Sequence, residues 1–285
     1  MQFEFAGTLA VADGRYLARD GNNGGEESVL VVETLAAPAP PSRRRRRPRQ
    51  VEAGEPAGVL PLARATAVRA FEPFGTEQDA AHWLDAATET EDTIDELVAD
   101  AIGLLNRALH AHAAASADPH VTELHPERAV KARIGYGSGD EVAAGHFGAA
   151  REVDVWATGA SRRRRRAEDL NPQQRTAAVL GGRDRIDACE TLLLRARADL
   201  DAGRDREAAL QLRVGLEALL AELPGAVSDP GHDEDMATLH ERRGEAGEAA
   251  NAALQGELGP VAARNMGELI EICERVLRRR RILHG

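Results

Sequence analysis

The sequence predicts an α+β protein: an N-terminal antiparallel sheet with one long helix, followed by a C-terminal all-α helical bundle. Three observations predict this. Short β-branched and aromatic runs separated by turn residues fill the first 75 positions. Apolar residues then recur at helical spacing through 76–127 and again through 171–285. The 43% apolar share is mostly Ala, Leu and Val with only 3% aromatics, which suits closely packed helices better than a broad sandwich. A chain of 285 residues has room for two domains, each burying its own core. The expected division is an α+β domain at 1–158 with an Arg/Pro-rich insertion at 36–57, an Arg-rich linker at 159–170, and a bundle at 171–285.

Phe3, Phe5, Leu9 and Val11 lead into Asp13-Gly14, a hairpin-type turn, and on to Arg15-Tyr16-Leu17. Ser28–Leu35 is a compact β-branched run, and Val59–Phe71 supplies another strand with Pro61 near its start. Thr76, with Asp79 three residues on, predicts a helix cap, and a second helix begins near Thr90 or Thr93. Its stripe runs through Ile94, Leu97, Val98, Ile102, Leu105 and Leu109 until Asp118-Pro119. Two strands follow, around Val130–Tyr136 and Val153–Trp156. Between them, Gly135 to Asp140 reads as a tight strand-to-helix turn capped by Asp140.

The bundle is punctuated by Asn171-Pro172, Gly181-Gly182, Gly203, Pro224 and Gly259-Pro260. Its stripes are Ile186, Cys189, Leu193, Ala196 and Leu200, then Ala209, Leu212, Leu216, Leu219 and Leu223. Met236, Leu239, Ala246, Ala250 and Leu254 form the third, and Met266, Leu269, Ile270, Cys273, Val276 and Leu277 the fourth. Both cysteines fall on apolar faces and read as buried thiols.

Charge is segregated. The net charge is −11, and residues 76–127 alone carry 12 acidic side chains against Arg107 as their single base. Of the 36 basic residues only Lys131 is lysine, a bias expected of a GC-rich coding genome. The arginines clump at Arg43, Arg44, Arg45, Arg46, Arg47 and Arg49, at Arg162, Arg163, Arg164, Arg165 and Arg166, and at Arg278 to Arg281. Packed guanidinium runs repel one another and stay solvated, so the first two mark linkers. Each would neutralise several phosphates, which makes RNA or another polyanion, or an acidic protein surface, the expected partner. No aromatics interleave with them, so base stacking is not expected.

No run approaches the length of a membrane span and the start lacks a signal-peptide pattern, so a cytoplasmic, non-membrane protein is expected. His110 and His112 point about 200° apart on a helix, and no His-Glu-x2-His or paired-Cys pattern joins His120 and His125. No metal and no cofactor are expected.

Arg195 to Leu223, with its Leu200–Gly203 turn and its Glu217–Leu219 Glu-Ala-Leu, resembles the helical hairpin of HEPN domains. Arg279, His284 and Gly285 are similar to that family's Arg-x4–6-His motif, although Arg280 stands where a polar Asn, His or Asp is usual. The resemblance covers residues 172–285 and implies a dimeric, metal-independent ribonuclease. In it His284 would move protons at a 2′-hydroxyl and Arg279 would stabilise phosphorane charge. The leading expectation is a non-enzymatic interaction protein contacting a polyanion through its Arg-rich linkers. Alternatives are the HEPN-like ribonuclease and a structural scaffold that homodimerises through its C-terminal helices.

Overall fold

The computed structural model describes residues 1–19, 27–35, 61–69, 73–155, 172–223, 229–256 and 258–284. It divides into two compact units, 1–161 and 162–285.

The first unit is α+β. Strands β1 (Gln2–Ala6), β2 (Gly14–Arg19), β3 (Glu27–Leu35) and β4 (Leu62–Arg69) precede helices α1 (Glu77–Ala87) and α2 (Glu91–Ser116). A 3-10 turn, β5 (Ala129–Tyr136), the short α3 (Gly139–Ala143) and β6 (Ala149–Glu152) follow. All pairings are antiparallel, in the order β2-β3-β4-β1-β5-β6. One sheet face packs on α2. Phe3, Phe5, Leu30, Val32, Ala65, Ala132 and Ile134 alternate along their strands and meet Val98, Ala101, Ile102, Leu105 and Leu109 of the helix. Thr76 caps α1 by accepting from Asp79 N at 3.1 Å, and Thr90 caps α2 by accepting from Thr93 N at 3.2 Å. Asn106 then clamps the chain beyond α2: its side chain donates to Leu124 O at 3.0 Å and accepts from Leu124 N at 2.9 Å.

Three sequence expectations are corrected here. Asp13-Gly14 does not join a β1–β2 hairpin. β1 is central, between β4 and β5, because its alternate Phe side chains are wholly buried, whereas the mostly exposed β2 lies at the edge beside β3. Asp13 instead ties that edge together, accepting from Thr34 N at 3.0 Å and Thr34 Oγ1 at 2.8 Å. The strand expected at Val153–Trp156 lies at Ala149–Glu152, where Gly135 permits close pairing: a Cβ there would meet Ala149 O at 2.6 Å. Trp156 falls outside the described residues. Finally Ser138, not Asp140, precedes α3 in extended conformation, and Asp140 pairs with Arg15 at 3.2 Å.

The second unit is all helical: α4 (Pro172–Leu180), α5 (Ala188–Asp201), α6 (Asp205–Glu222), α7 (Pro230–Gln255) and α8 (Pro260–His284). Gly203, at φ 69°, makes the sharp turn that lays α6 back on α5. The two helices approach closely at Gly215, where a Cβ would stand 3.1 Å from the Leu193 side chain. Leu193, Leu212, Leu216, Leu219, Leu239, Met266, Leu269 and Cys273 make a dry core, and Ala246, Ala249 and Ala253 let α7 pack tightly onto it. Two residues assigned to stripes do not belong there. Ile186 is 60% exposed because it precedes α5, and Leu254 is 66% exposed because Ala250 and Ala253 hold the inward face. Among the described residues, no helix is long and apolar enough to cross a membrane.

Candidate functional site

The arginine runs at 43–49 and 162–166 lie outside the described residues. Arg279 is described, and its Nη1 is engaged. Its Nη1 donates to Gly231 O and to Asp235 Oδ2, and Arg275 donates to the other oxygen of Asp235 at 2.9 Å. The next two arginines follow the same pattern on the other side of α8. Arg280 donates to Asp187 at 2.6 Å, and Arg281 donates to Glu190 at 3.0 Å. Arg175 of α4 reaches Glu190 at 2.7 Å. Asp187, Glu190 and Asp235 are buried, so the arginines supply the countercharge that lets those carboxylates leave water. His284 ends α8, and its side chain lies outside the described set.

This arrangement has a direct electrostatic signature. Burial pushes the Glu190 carboxyl up, but hydrogen bonds from Arg175 and Arg281 outweigh it and hold the group below its ordinary value. The thiols are shifted the opposite way. Burial pushes Cys189 and Cys273 up to about 12, and Glu222 beside Cys189 adds to the effect. No group of three or more His, Cys, Asp or Glu able to hold a metal occurs among the described residues. A phosphate approaching Arg279 would meet Asp235, a carboxylate already bonded to its Nη1.

The other concave feature was not foreseen. In the α+β unit a cleft of about 640 Å³ opens between the sheet and the helices. Ala67, Val68 and Ile134 of the sheet line it, as do Leu97, Ala101 and Leu104 of α2. Phe74, Trp83 and Tyr136 form the aromatic wall, Phe74 lying 5.8 Å from Trp83 and 6.1 Å from Tyr136 between ring centroids. Local structure places each ring. Phe74 sits two residues before the Thr76 cap, Trp83 projects from α1, and Tyr136 ends β5. Gly137 follows at once, where a Cβ would meet Val142 at 2.8 Å. At the mouth Arg69 pairs with Asp100 at 3.0 Å. A second cleft, about 530 Å³ and lined by Tyr16, Leu17, Leu30 and Ala111, lies farther along α2, and Leu104 and Arg107 border both. The periodicity that found α1, α2 and β5 gave no sign of either, because the lining residues belong to different elements.

The fold and site thus define an α+β unit with an aromatic-walled cleft, on one chain with a helical bundle in which Arg279, Arg280 and Arg281 pair with carboxylates of the same unit. Comparison with protein-family models, with curated proteins and with solved structures returns no match to the chain.

Proposed function

We propose that this chain is a non-enzymatic binding protein whose α+β unit receives a small molecule in the cleft between α1, α2 and the sheet. The single observation that carries the reading is the aromatic wall of Phe74, Trp83 and Tyr136 around a space of about 640 Å³. Ligand sites are typically concave, mostly apolar and furnished with a few convergent polar groups. The cleft has that make-up, with the Arg69–Asp100 pair among its polar groups. In the bundle, Arg279 is held by Asp235 and Gly231, and the thiols are buried far from the reactive range, which favours binding over catalysis. Melting the full chain against a panel of small organic compounds tests the reading. Some compounds should raise the melting midpoint of the wild type, and Ala80→Leu, which fills the cleft, should abolish the rise. If no compound stabilises the wild type, the reading fails.

The sequence favours a second contact, with RNA or another polyanion, through the runs at Arg43–Arg49 and Arg162–Arg166. Arg279, Arg280 and Arg281 of the third cluster are paired with Asp235, Asp187 and Glu190, which favours the other two runs for this contact.

A further inference from the structure

We infer that the ligand of the cleft is an uncharged, flat ring compound with a hydrogen-bonding edge, an inference that rests on the cleft being a binding site. Shape supplies the first argument. Phe74 is inclined at 46° to Trp83 and at 65° to Tyr136, so the rings meet tilted and edge-on instead of stacking face to face, and all three line the cleft. Offset and edge-to-face contacts between rings are favourable beyond the area they bury. A planar ring entering here therefore extends a cluster already in place. This chain is sparing with such residues: it has five Phe, two Trp and two Tyr in all. Three of those nine line one cleft, whereas Tyr16 is the one aromatic side chain among the residues lining the second. An aliphatic ligand would be served by the Leu, Val and Ala that line the rest.

Charge supplies the second argument. The charged side chains lining the cleft are Arg69, Arg107, Glu77 and Asp100, two of each sign, and Arg69 and Asp100 pair with each other. The Met1 amine, which also lines it, donates to Ala67 O at 3.0 Å and is pushed down to about 6 by its burial and by Arg69. A charged ligand would bring an unmatched charge into a balanced wall, and burying such a charge costs far more than burying a polar group with a partner. A neutral edge carrying a donor and an acceptor can address the carboxylate and the guanidinium of the one pair without separating them. Size supplies the third: the volume lies within the range of small-molecule pockets and admits about two or three fused rings.

A matched pair of fluorophores tests this in the full chain. Trp156→Phe leaves Trp83 as its only tryptophan. N-phenylnaphthylamine is uncharged, and anilinonaphthalene sulfonate carries the same rings plus an anion. N-phenylnaphthylamine should quench Trp83 as a single saturable site, at least about tenfold tighter than the sulfonate. Ala80→Leu should weaken it about tenfold or more by filling the space, with far-ultraviolet circular dichroism unchanged. Phe74→Ala, at a position 42% exposed, should produce a comparable loss without disturbing the core. Equal or tighter binding of the sulfonate would overturn the uncharged class and leave the cleft reading standing. No saturable quenching by either probe would overturn both, and quenching insensitive to both substitutions would overturn the assignment to this cleft.

Discussion

Gly231 and Arg279 are fitted to each other: a Cβ at Gly231 would stand 3.0 Å from the Arg279 Cζ and Nη2, and the Gly231 carbonyl accepts from Nη1. The guanidinium therefore lies over the first turn of α7, the positive end of that helix dipole, where a cation is disfavoured. Asp235 at 2.5 Å and Asp229 at 3.9 Å offset this.

Because the glycine makes room for the guanidinium, Gly231→Ala should destabilise the bundle by about 1 kcal/mol, as expected for losing a charge-assisted contact on a partly exposed arginine. In an Arg279→Ala background the same substitution should become neutral or stabilising, since alanine is the better helix former. Thermal melts of the four proteins give the coupling, and additive effects would show that the two residues do not constrain each other.

Glu190 should make the bundle acid-sensitive. Its folded value is depressed below the ordinary 4.5, so the unfolded state binds the proton more readily. The stabilisation is fully present above the ordinary value and is lost as pH falls through the lower folded one. Glu190→Gln should lower stability at neutral pH and flatten the decline on acidification. A decline identical to that of the wild type would show that Glu190 is not its source.

His232 is buried, and its Nδ1 meets no hydrogen-bond partner among the described residues. An unsatisfied buried nitrogen is costly, so His232→Leu should raise the melting midpoint, by the equivalent of about 1 kcal/mol. A lower midpoint would mean that the imidazole has a stabilising partner.

Both thiols should be silent in the native state. With values pushed up to about 12, the thiolate fraction of Cys189 and Cys273 near pH 8 is on the order of one in ten thousand. Ellman's reagent should label neither until denaturant is added and then label both. Rapid native labelling would contradict their burial.

RNA binding, where present, should weaken steeply with salt and be lost when the runs at 43–49 and 162–166 are replaced by Gly/Ser. Incubation with RNA in chelator should leave it intact. Products with 2′,3′-cyclic phosphate ends that disappear in His284→Ala would instead favour the ribonuclease that the HEPN resemblance implies.

Local chemistry was legible in the sequence where a few neighbouring residues suffice to produce it. Thr76 and Thr90 cap their helices because hydroxyl and amide are three residues apart, and Gly203 turns because it alone tolerates its positive φ without strain. The α+β division and most inward faces followed from periods of two and 3.6 residues in the same way. Pairing across the chain was decided elsewhere. Nothing near Asp13 reveals that its carboxylate meets Thr34 instead of turning a hairpin onto β1. Nothing near Arg279, Arg280 and Arg281 reveals the buried carboxylates that hold them. The cleft is the plainest case: Phe74, Trp83 and Tyr136 come from three elements. Only the packing of α1 against the end of β5, a non-local event driven by burial of apolar surface, brings those rings around one space.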